Sequence, residues 1–142
     1  MSELPTVNPV AQLEAALHAL PDELKINPDD FTTHHFCAGM YARELFIPAG
    51  AVIVGKTHAV QNFFILVKGE LLLASPEGPV RVRAPFMAVT QPGDKRAGLA
   101  LEDSVCLNFH ANPDDEQDLE VLETRYVIPE ALPAPPAKEL LA

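Results

Sequence analysis

Short runs of apolar residues, separated by turns, dominate the middle of the chain. Residues 40–47 and 80–83 alternate between apolar and polar positions, and further apolar runs lie at 51–56, 60–67, 70–74, 86–90, 97–101 and 104–110. Turns rich in proline and glycine separate these runs at intervals of roughly ten residues. Short strands with turns at this spacing are typical of an antiparallel barrel or sandwich. Because no helix-length periodic segment interrupts them, the pattern disfavours a parallel α/β sheet.

Two segments outside this region have helical character. Asn8-Pro9 is a typical helix start, and the apolar residues that follow recur at helical spacing, which predicts a helix over residues 9–20. Asn112-Pro113, followed by acidic residues, predicts a second helix over residues 112–124 with an edge segment after it. Residues 21–33 are predicted to form a surface loop, and the proline- and alanine-rich residues 129–142 an extended arm.

Length and charge narrow the functional classes. A chain of 142 residues is long enough for one domain with a core of its own. Its formal net charge of -10 argues against nucleic acid and anionic membrane surfaces as partners, since both require positive charge on the protein. The first ten residues lack the basic start and apolar core of a signal peptide, so we expect a soluble protein of a reducing cytoplasm. Cys37 and Cys106 could form a disulfide, but in that compartment they are expected to be small buried apolar residues.

The segment from Gly50 to Gly69 resembles the first motif of the cupin superfamily. That motif is a glycine, five residues, His-x-His, three or four residues, a glutamate, six residues and a glycine. The spacing is retained, but Lys56 stands at the first histidine position and Asn62 at the glutamate position, and His58 keeps a metal-ligand type.

Residues 85–100 resemble the second cupin motif with similar departures. Gly93 is retained, Pro92 is shifted by one position, Arg96 stands at the histidine position and Ala100 at the asparagine position. The resemblance implies an all-β fold, a cupin-like antiparallel β-barrel (jelly roll). The predicted organisation is an N-terminal arm and helix over 1–33, the barrel over 34–111, a C-terminal acidic helix and edge segment over 112–128, and the tail over 129–142.

The replaced ligands change the chemistry that the resemblance implies. Metal ions need several convergent N, O or S donors, and Lys56 and Arg96 would repel a divalent cation, so we predict no metal and no cofactor, with His58 as a weak candidate ligand. If the cupin geometry holds, Lys56, His58, Asn62 and Arg96 line one pocket that suits an anion, with Arg96 as a fork and Lys56 as a point charge. No catalytic residue is predicted.

Three alternatives stay open for these residues. Lys56 and Arg96 could instead lie at the barrel mouth, paired with acids such as Asp94 or Glu102 and carrying structure alone. His58 could act as a general acid or base on an anionic substrate. A metal could be held by ligands not identified from spacing, for example His58 with one of the separate histidines His34, His35 and His110.

Residues 40–123 are also similar to small uncharacterised cupin-like proteins of tailed bacteriophages and prophages. The features that carry this are the Gly-Lys-x-His turn, the Ala-Pro before a strand, the Pro-Gly-x-Lys-Arg turn and the Leu-Glu-Asp that leads to a strand ending in histidine. The resemblance implies a non-enzymatic binding or assembly module, such as an accessory capsid or tail component, in the host cytoplasm or the virion. Its implied partners are further copies of itself (a homo-oligomer) and other phage structural proteins. The alternatives are a binder or enzyme for an anionic ligand and a metal-dependent cupin.

Overall fold

The computed structural model describes residue 19, residues 27–75 and residues 77–129. A short 3-10 helix (Pro28–Phe31) is followed by nine strands and then by one α-helix. The strands are β1 (Thr32–Cys37), β2 (Met40–Ile47), β3 (Val52–Val54), β4 (Asn62–Lys68), β5 (Glu70–Leu73), β6 (Val80–Arg83), β7 (Phe86–Thr90), β8 (Ala97–Ala100) and β9 (Ser104–Ala111), and the helix is α1 (Leu119–Tyr126). The helix predicted over 9–20 and the arm predicted over 129–142 lie outside the described residues, apart from residues 19 and 129.

The strands form two antiparallel sheets with nested pairing. The larger sheet has the order β1-β2-β9-β4-β7 and the smaller one β3-β8-β5-β6. From the outside inward, β2 pairs with β9, β3 with β8, β4 with β7 and β5 with β6, and the pairs alternate between the sheets. This is a long hairpin rolled into two sheets, which defines a jelly roll. The predicted all-β jelly roll is therefore confirmed.

Alternation along each strand places the core between the sheets. Ile47, Phe64, Leu66, Leu71 and Cys106 are buried in one apolar cluster, and Leu66 has no exposed surface at all. A second cluster, Tyr41 with Leu122 and Tyr126, packs α1 against one end of the barrel. The apolar core therefore occupies one part of the interior and leaves the other end to polar side chains.

The strand predictions succeeded where the pattern was regular and failed at β1. β2, β6 and β7 have the predicted bounds. The surface loop predicted over 21–33 is wrong at its end, because Thr32 and Thr33 pair with Leu45 and Glu44 of β2. Strand β1, TTHHFC, is an edge strand with few apolar residues, so pairing with β2 rather than its own pattern makes it a strand.

The predicted start of the C-terminal helix is also wrong. The backbone N–H of Asp115 donates to the carbonyl of Asn112 (3.1 Å), and Asp115 has a positive φ of 52°. Residues 112–115 therefore form a tight turn and not the first turn of an α-helix. The helix begins at Leu119, where the Asp118 side chain accepts from the N–H of Glu120 (3.0 Å) as an N-cap. The predicted edge segment after the helix is reduced to an isolated bridge between Val127 and His58.

The two cysteines have different environments. Both are free thiols; Cys106 is buried as expected, but Cys37 is exposed, which corrects the expectation that both are buried. Cys37 is the last residue of β1, which lies at the edge of the larger sheet in the described part of the chain. Among the described residues, no helix combines the length and the apolar character that crossing a membrane requires.

Candidate functional site

A cavity of about 470 Å³ lies between the two sheets, and α1 forms part of its wall. Its lining changes from polar at the end near α1 to apolar in the barrel interior. The apolar wall consists of Leu45, Ile47, Ile53, Phe64, Leu71 and Leu73. The two halves of the cavity therefore suit different parts of a ligand.

The register of the paired strands brings together the side chains that form the polar half of the cavity. Inward-facing positions of β2 and β9 lie opposite each other, so that Tyr41 faces His110 and Arg43 faces Asn108. All four side chains line the cavity. His34, opposite Arg43 on β1, extends this row, and its Nδ1 lies 2.7 Å from the hydroxyl of Tyr41.

His58 is held in one tautomer by a chain of hydrogen bonds. The side-chain amide nitrogen of Asn62 lies 3.1 Å from both His58 Nδ1 and the carbonyl oxygen of Val60, and Asn62 Oδ1 accepts from Asn108 Nδ2 (2.9 Å). Because a carbonyl can only accept, the group that faces Val60 must be the NH2 of Asn62, and the same NH2 then donates to His58 Nδ1. The proton of neutral His58 consequently sits on Nε2.

Arg96 is fixed across the inner face of the larger sheet. Its Nη1 donates to Thr90 Oγ1 (2.6 Å), and its guanidinium carbon lies 4.4 Å from the ring centroid of Phe64. Among the described residues, no carboxylate is within ion-pair distance of Arg96. Burial lowers the pKa of the Arg96 guanidinium below its ordinary value, and the more distant charge of Asp94 offsets part of that shift.

Arg43 supplies a second positive charge to the cavity. Its closest carboxylate in the described chain is that of Asp29, with 3.9 Å between Nη2 and Oδ1, and the Asp29 side chain is 73% exposed. Such a long, solvated contact neutralises little of the charge. Within the described part of the chain, the inner face therefore carries two arginines with weak or absent counter-charges.

Lys56 lines the cavity too, but its ammonium group forms an ion pair with a carboxylate. Its Nζ pairs with Glu123 Oε1 of α1. Next to this pair, the N–H of Ala59 donates to the carbonyl of Tyr126 (2.9 Å), and the N–H of Ile128 donates to that of Thr57 (2.9 Å). The predicted pairing of Lys56 with an acid thus exists, with Glu123 rather than Asp94 or Glu102, and it ties the helix to the loop before β4.

Two stacked histidines lie at the polar end, where burial favours their neutral forms. His110 packs on Tyr126 with 4.3 Å between ring centroids, and His58 lies 6.4 Å from His110. Burial, together with the neighbouring His58 and Arg43, lowers the pKa of His110 to about 4. Burial and the two arginines lower the pKa of His58 as well. His110 Nδ1 is buried and has no hydrogen-bond partner among the described residues.

The four predicted pocket residues lie in one region, with different roles. Lys56, His58 and Arg96 line the cavity, while Asn62 is buried, does not line it and orients His58. Motif spacing did not reveal the roles of Arg43, Tyr41, Asn108 and His110. The alternation that predicted the strands contained the information, because Arg43 is in phase with the inward apolar positions of β2.

These residues do not fit a divalent metal. Among the described residues, no group of three or more His, Cys, Asp or Glu side chains is arranged to hold a metal ion. His58 Nδ1 and the oxygen of Asn62 are both engaged in hydrogen bonds, and two guanidinium groups lie nearby. Metal ligands must be free donors in a site that tolerates added positive charge.

No protein-family model matches the chain, and no curated protein matches it either. Solved structures with a similar course of the chain include a cupin domain from Bordetella pertussis Tohama I (17% identity, 57% of this chain and 91% of that chain, TM-score 0.46). Others are an acetylacetone dioxygenase from Acinetobacter johnsonii (16%, 65% and 70%, 0.47) and KdgF from Halomonas sp. (15%, 63% and 81%, 0.49). Likenesses this distant assign no activity to this chain, and its jelly roll is defined by the strand order itself.

Proposed function

We propose that the barrel binds a small organic anion, with its head group at Arg96 and its apolar body in the barrel interior. The observation that carries the proposal is Arg96, a partly buried guanidinium held by Thr90 and Phe64 without a carboxylate partner among the described residues. A hydroxyl and an aromatic face orient this cation but do not neutralise it. A buried charge is costly unless it is paired, so an anionic ligand would supply the missing partner.

The surrounding groups favour one negative charge on the ligand. Neutral His58 offers its Nε2–H as a second donor, and Arg43 adds positive charge on the same side. Asp29 and Glu120 also line the cavity and would repel a second anionic group. Lys56 is already paired with Glu123 and adds no free positive charge. The expected head group is therefore a carboxylate, and a phosphate monoester, with a charge of about -1.5 to -2 at neutral pH, should bind less tightly.

The cavity size and the apolar wall define the rest of the ligand. A volume of about 470 Å³ is within the range of small-molecule sites, which usually combine an apolar lining with a few placed polar groups. Burial of each methylene against this wall contributes roughly 0.8 kcal/mol. Affinity should therefore rise with the length of an aliphatic tail until the cavity is filled.

Isothermal titration calorimetry with straight-chain carboxylates from acetate to decanoate tests the proposal. Octanoate should bind more tightly than acetate and octan-1-ol, and octyl phosphate shows which head group is preferred. Arg96→Leu should weaken octanoate binding roughly 10- to 100-fold, the value of one charge-assisted hydrogen bond. Arg83→Leu, which removes an exposed arginine from β6, is the matched control and should leave binding unchanged.

The proposal fails if no member of the carboxylate series binds. It fails equally if octan-1-ol binds as well as octanoate, or if Arg96→Leu and Arg83→Leu have the same effect. A pocket that is merely apolar would give the second result, and a site elsewhere on the surface would give the third.

The second candidate function is the assembly module that the phage resemblance implies, an accessory component that associates with itself or with other structural proteins. The observation that favours self-association is exposed apolar surface on the outside of the larger sheet, where Phe63 is 48% and Met87 62% exposed. Contiguous exposed apolar surface commonly marks a protein interface. The two candidate functions use opposite faces of the same sheet, so one protein can have both.

A further inference from the structure

The outer face of the larger sheet carries a continuous apolar strip. Cross-strand register places Phe63 beside Val89, Ile65 beside Met87 and Phe63 beside Phe109. We define the outer strip as Phe63, Ile65, Val67, Met87, Val89, Leu107 and Phe109. Four of these, Phe63, Val67, Met87 and Val89, are between 45% and 62% exposed.

The sequence of β4 is typical of a strand that is covered on both of its faces. Between Asn62 and Lys68 the strand is a continuous apolar run instead of an alternating one. Such runs are typical of strands that are buried on both faces. On the inner face Phe64 and Leu66 are buried, but on the outer face no described residue covers Phe63 and Val67.

Charge does not oppose a second copy of the chain as the cover of the outer strip. A chain with a net charge of -10 repels its own copies over most of its surface. None of the seven residues of the outer strip is charged, so two copies can approach there without bringing like charges together. The face becomes polar toward β1, where His35 and Glu44 lie 3.2 Å apart. An apolar centre with a polar margin is the usual anatomy of an interface.

The area of the face is of the right order for a dimer. Strands about 4.8 Å apart that rise about 3.3 Å per residue give the three-stranded strip a footprint of roughly 300 Å², and the whole five-stranded face roughly 600 Å². Stable interfaces bury about 800 Å² of accessible surface per partner, and rough side-chain surface exceeds its flat footprint. A sheet packed on a sheet about 10 Å away would cover the strip completely.

We propose that a second copy of this chain packs face to face on the outer strip, in an isologous dimer with two-fold symmetry. The inference deepens the second candidate function by naming its surface and its partner. Because the strip is on both copies, each Met87 would enter the partner's strip. The cavity is lined by the inner face of the same sheet, so a dimer through the outer strip does not fill it.

Sedimentation velocity of the full chain between 1 and 100 µM tests the proposal. The wild type should sediment as a dimer, and Met87→Glu should weaken dimerisation at least 100-fold, because it places like charges in an apolar interface. Val80→Glu is the matched control, since Val80 is 48% exposed on β6 of the smaller sheet and should leave the dimer intact. Val89→Lys, a second variant in the strip, should behave as Met87→Glu does, and circular dichroism verifies that each variant is folded.

Two results would overturn the inference. A wild type that is monomeric at 100 µM would show that no second copy covers the outer strip. The cover would then be another segment of the same chain or another protein. A folded Met87→Glu that stays dimeric like Val80→Glu moves self-association to a different surface. Neither result bears on octanoate binding by Arg96, so failure of this inference is distinct from failure of the anion site.

Discussion

His110→Phe tests whether His110 is buried and neutral in the folded protein, as its surroundings indicate. His110 is 5% exposed, stacks on Tyr126, and its Nδ1 is without a hydrogen-bond partner among the described residues. Burial lowers its pKa to about 4, whereas the unfolded chain has the ordinary value of 6.5. Phenylalanine keeps a ring of similar shape and removes the titration.

The direction of the effect follows from proton binding. Below pH 6.5 the unfolded state takes up a proton at His110 that the folded state does not, so the wild type loses stability as the pH falls toward 4. With one pKa unit equal to about 1.4 kcal/mol, the loss is close to zero at pH 7, about 1.4 kcal/mol at pH 5.5 and about 2 kcal/mol at pH 5.0. His110→Phe should escape this loss, so its stability relative to the wild type should rise by these amounts.

Urea denaturation at pH 7.0, 5.5 and 5.0, followed by circular dichroism, measures the difference. The variant should be at least as stable as the wild type at pH 7, because it no longer buries an unpaired nitrogen. Val80→Ala on β6 is the control, because neither side chain titrates, so any change in stability should be the same at all three pH values. A free-energy difference for His110→Phe that is the same at pH 7.0 and 5.0 within about 0.5 kcal/mol would refute a buried, neutral His110.

Two further predictions concern backbone and thiols. Gly69 and Gly39 both have positive φ, but a Cβ at Gly69 would lie 2.6 Å from the carbonyl oxygen of Asp103, whereas nothing lies within 4 Å at Gly39. Gly69→Ala should therefore destabilise by at least about 3 kcal/mol and Gly39→Ala by only about 1 kcal/mol in urea titrations, and equal losses would contradict the close packing. A disulfide reagent such as DTNB should modify Cys37 quickly and Cys106 only after unfolding, because Cys106 is buried and its thiol pKa is raised to about 11. Rapid reaction of two thiols in the native protein would show that the core is open.

Local patterns predicted most strands but not the elements that depend on a neighbour. β2 and β6 were predictable because alternation records which side of a strand faces the core, and β7 because its apolar run is bounded by turn residues. β1 lacks that pattern and exists through its pairing with β2. The start of α1 was misplaced because Asn112-Pro113 resembles a cap, while its contacts make a turn.

The candidate site was predictable in part. Motif spacing predicted that His58, Arg96 and Asn62 lie together. In the structure His58 and Arg96 line one cavity, and Asn62 is hydrogen-bonded to His58. It could not show that Lys56 pairs with Glu123, because that contact joins residues 67 positions apart and depends on where α1 packs. Nor did it single out Arg43, which reaches the cavity through the pairing of β2 with β9.

The order of apolar and polar residues was enough to determine an antiparallel all-β barrel, since alternation and turn chemistry act between near neighbours in the chain. Folding settled which nitrogen of His58 carries the proton. Among the described residues, it also settled whether Arg96 has a counter-charge and which sheet face is left uncovered. Those properties arise from contacts between strands and loops that are distant in sequence, and a buried charge differs from a solvated one only through what surrounds it.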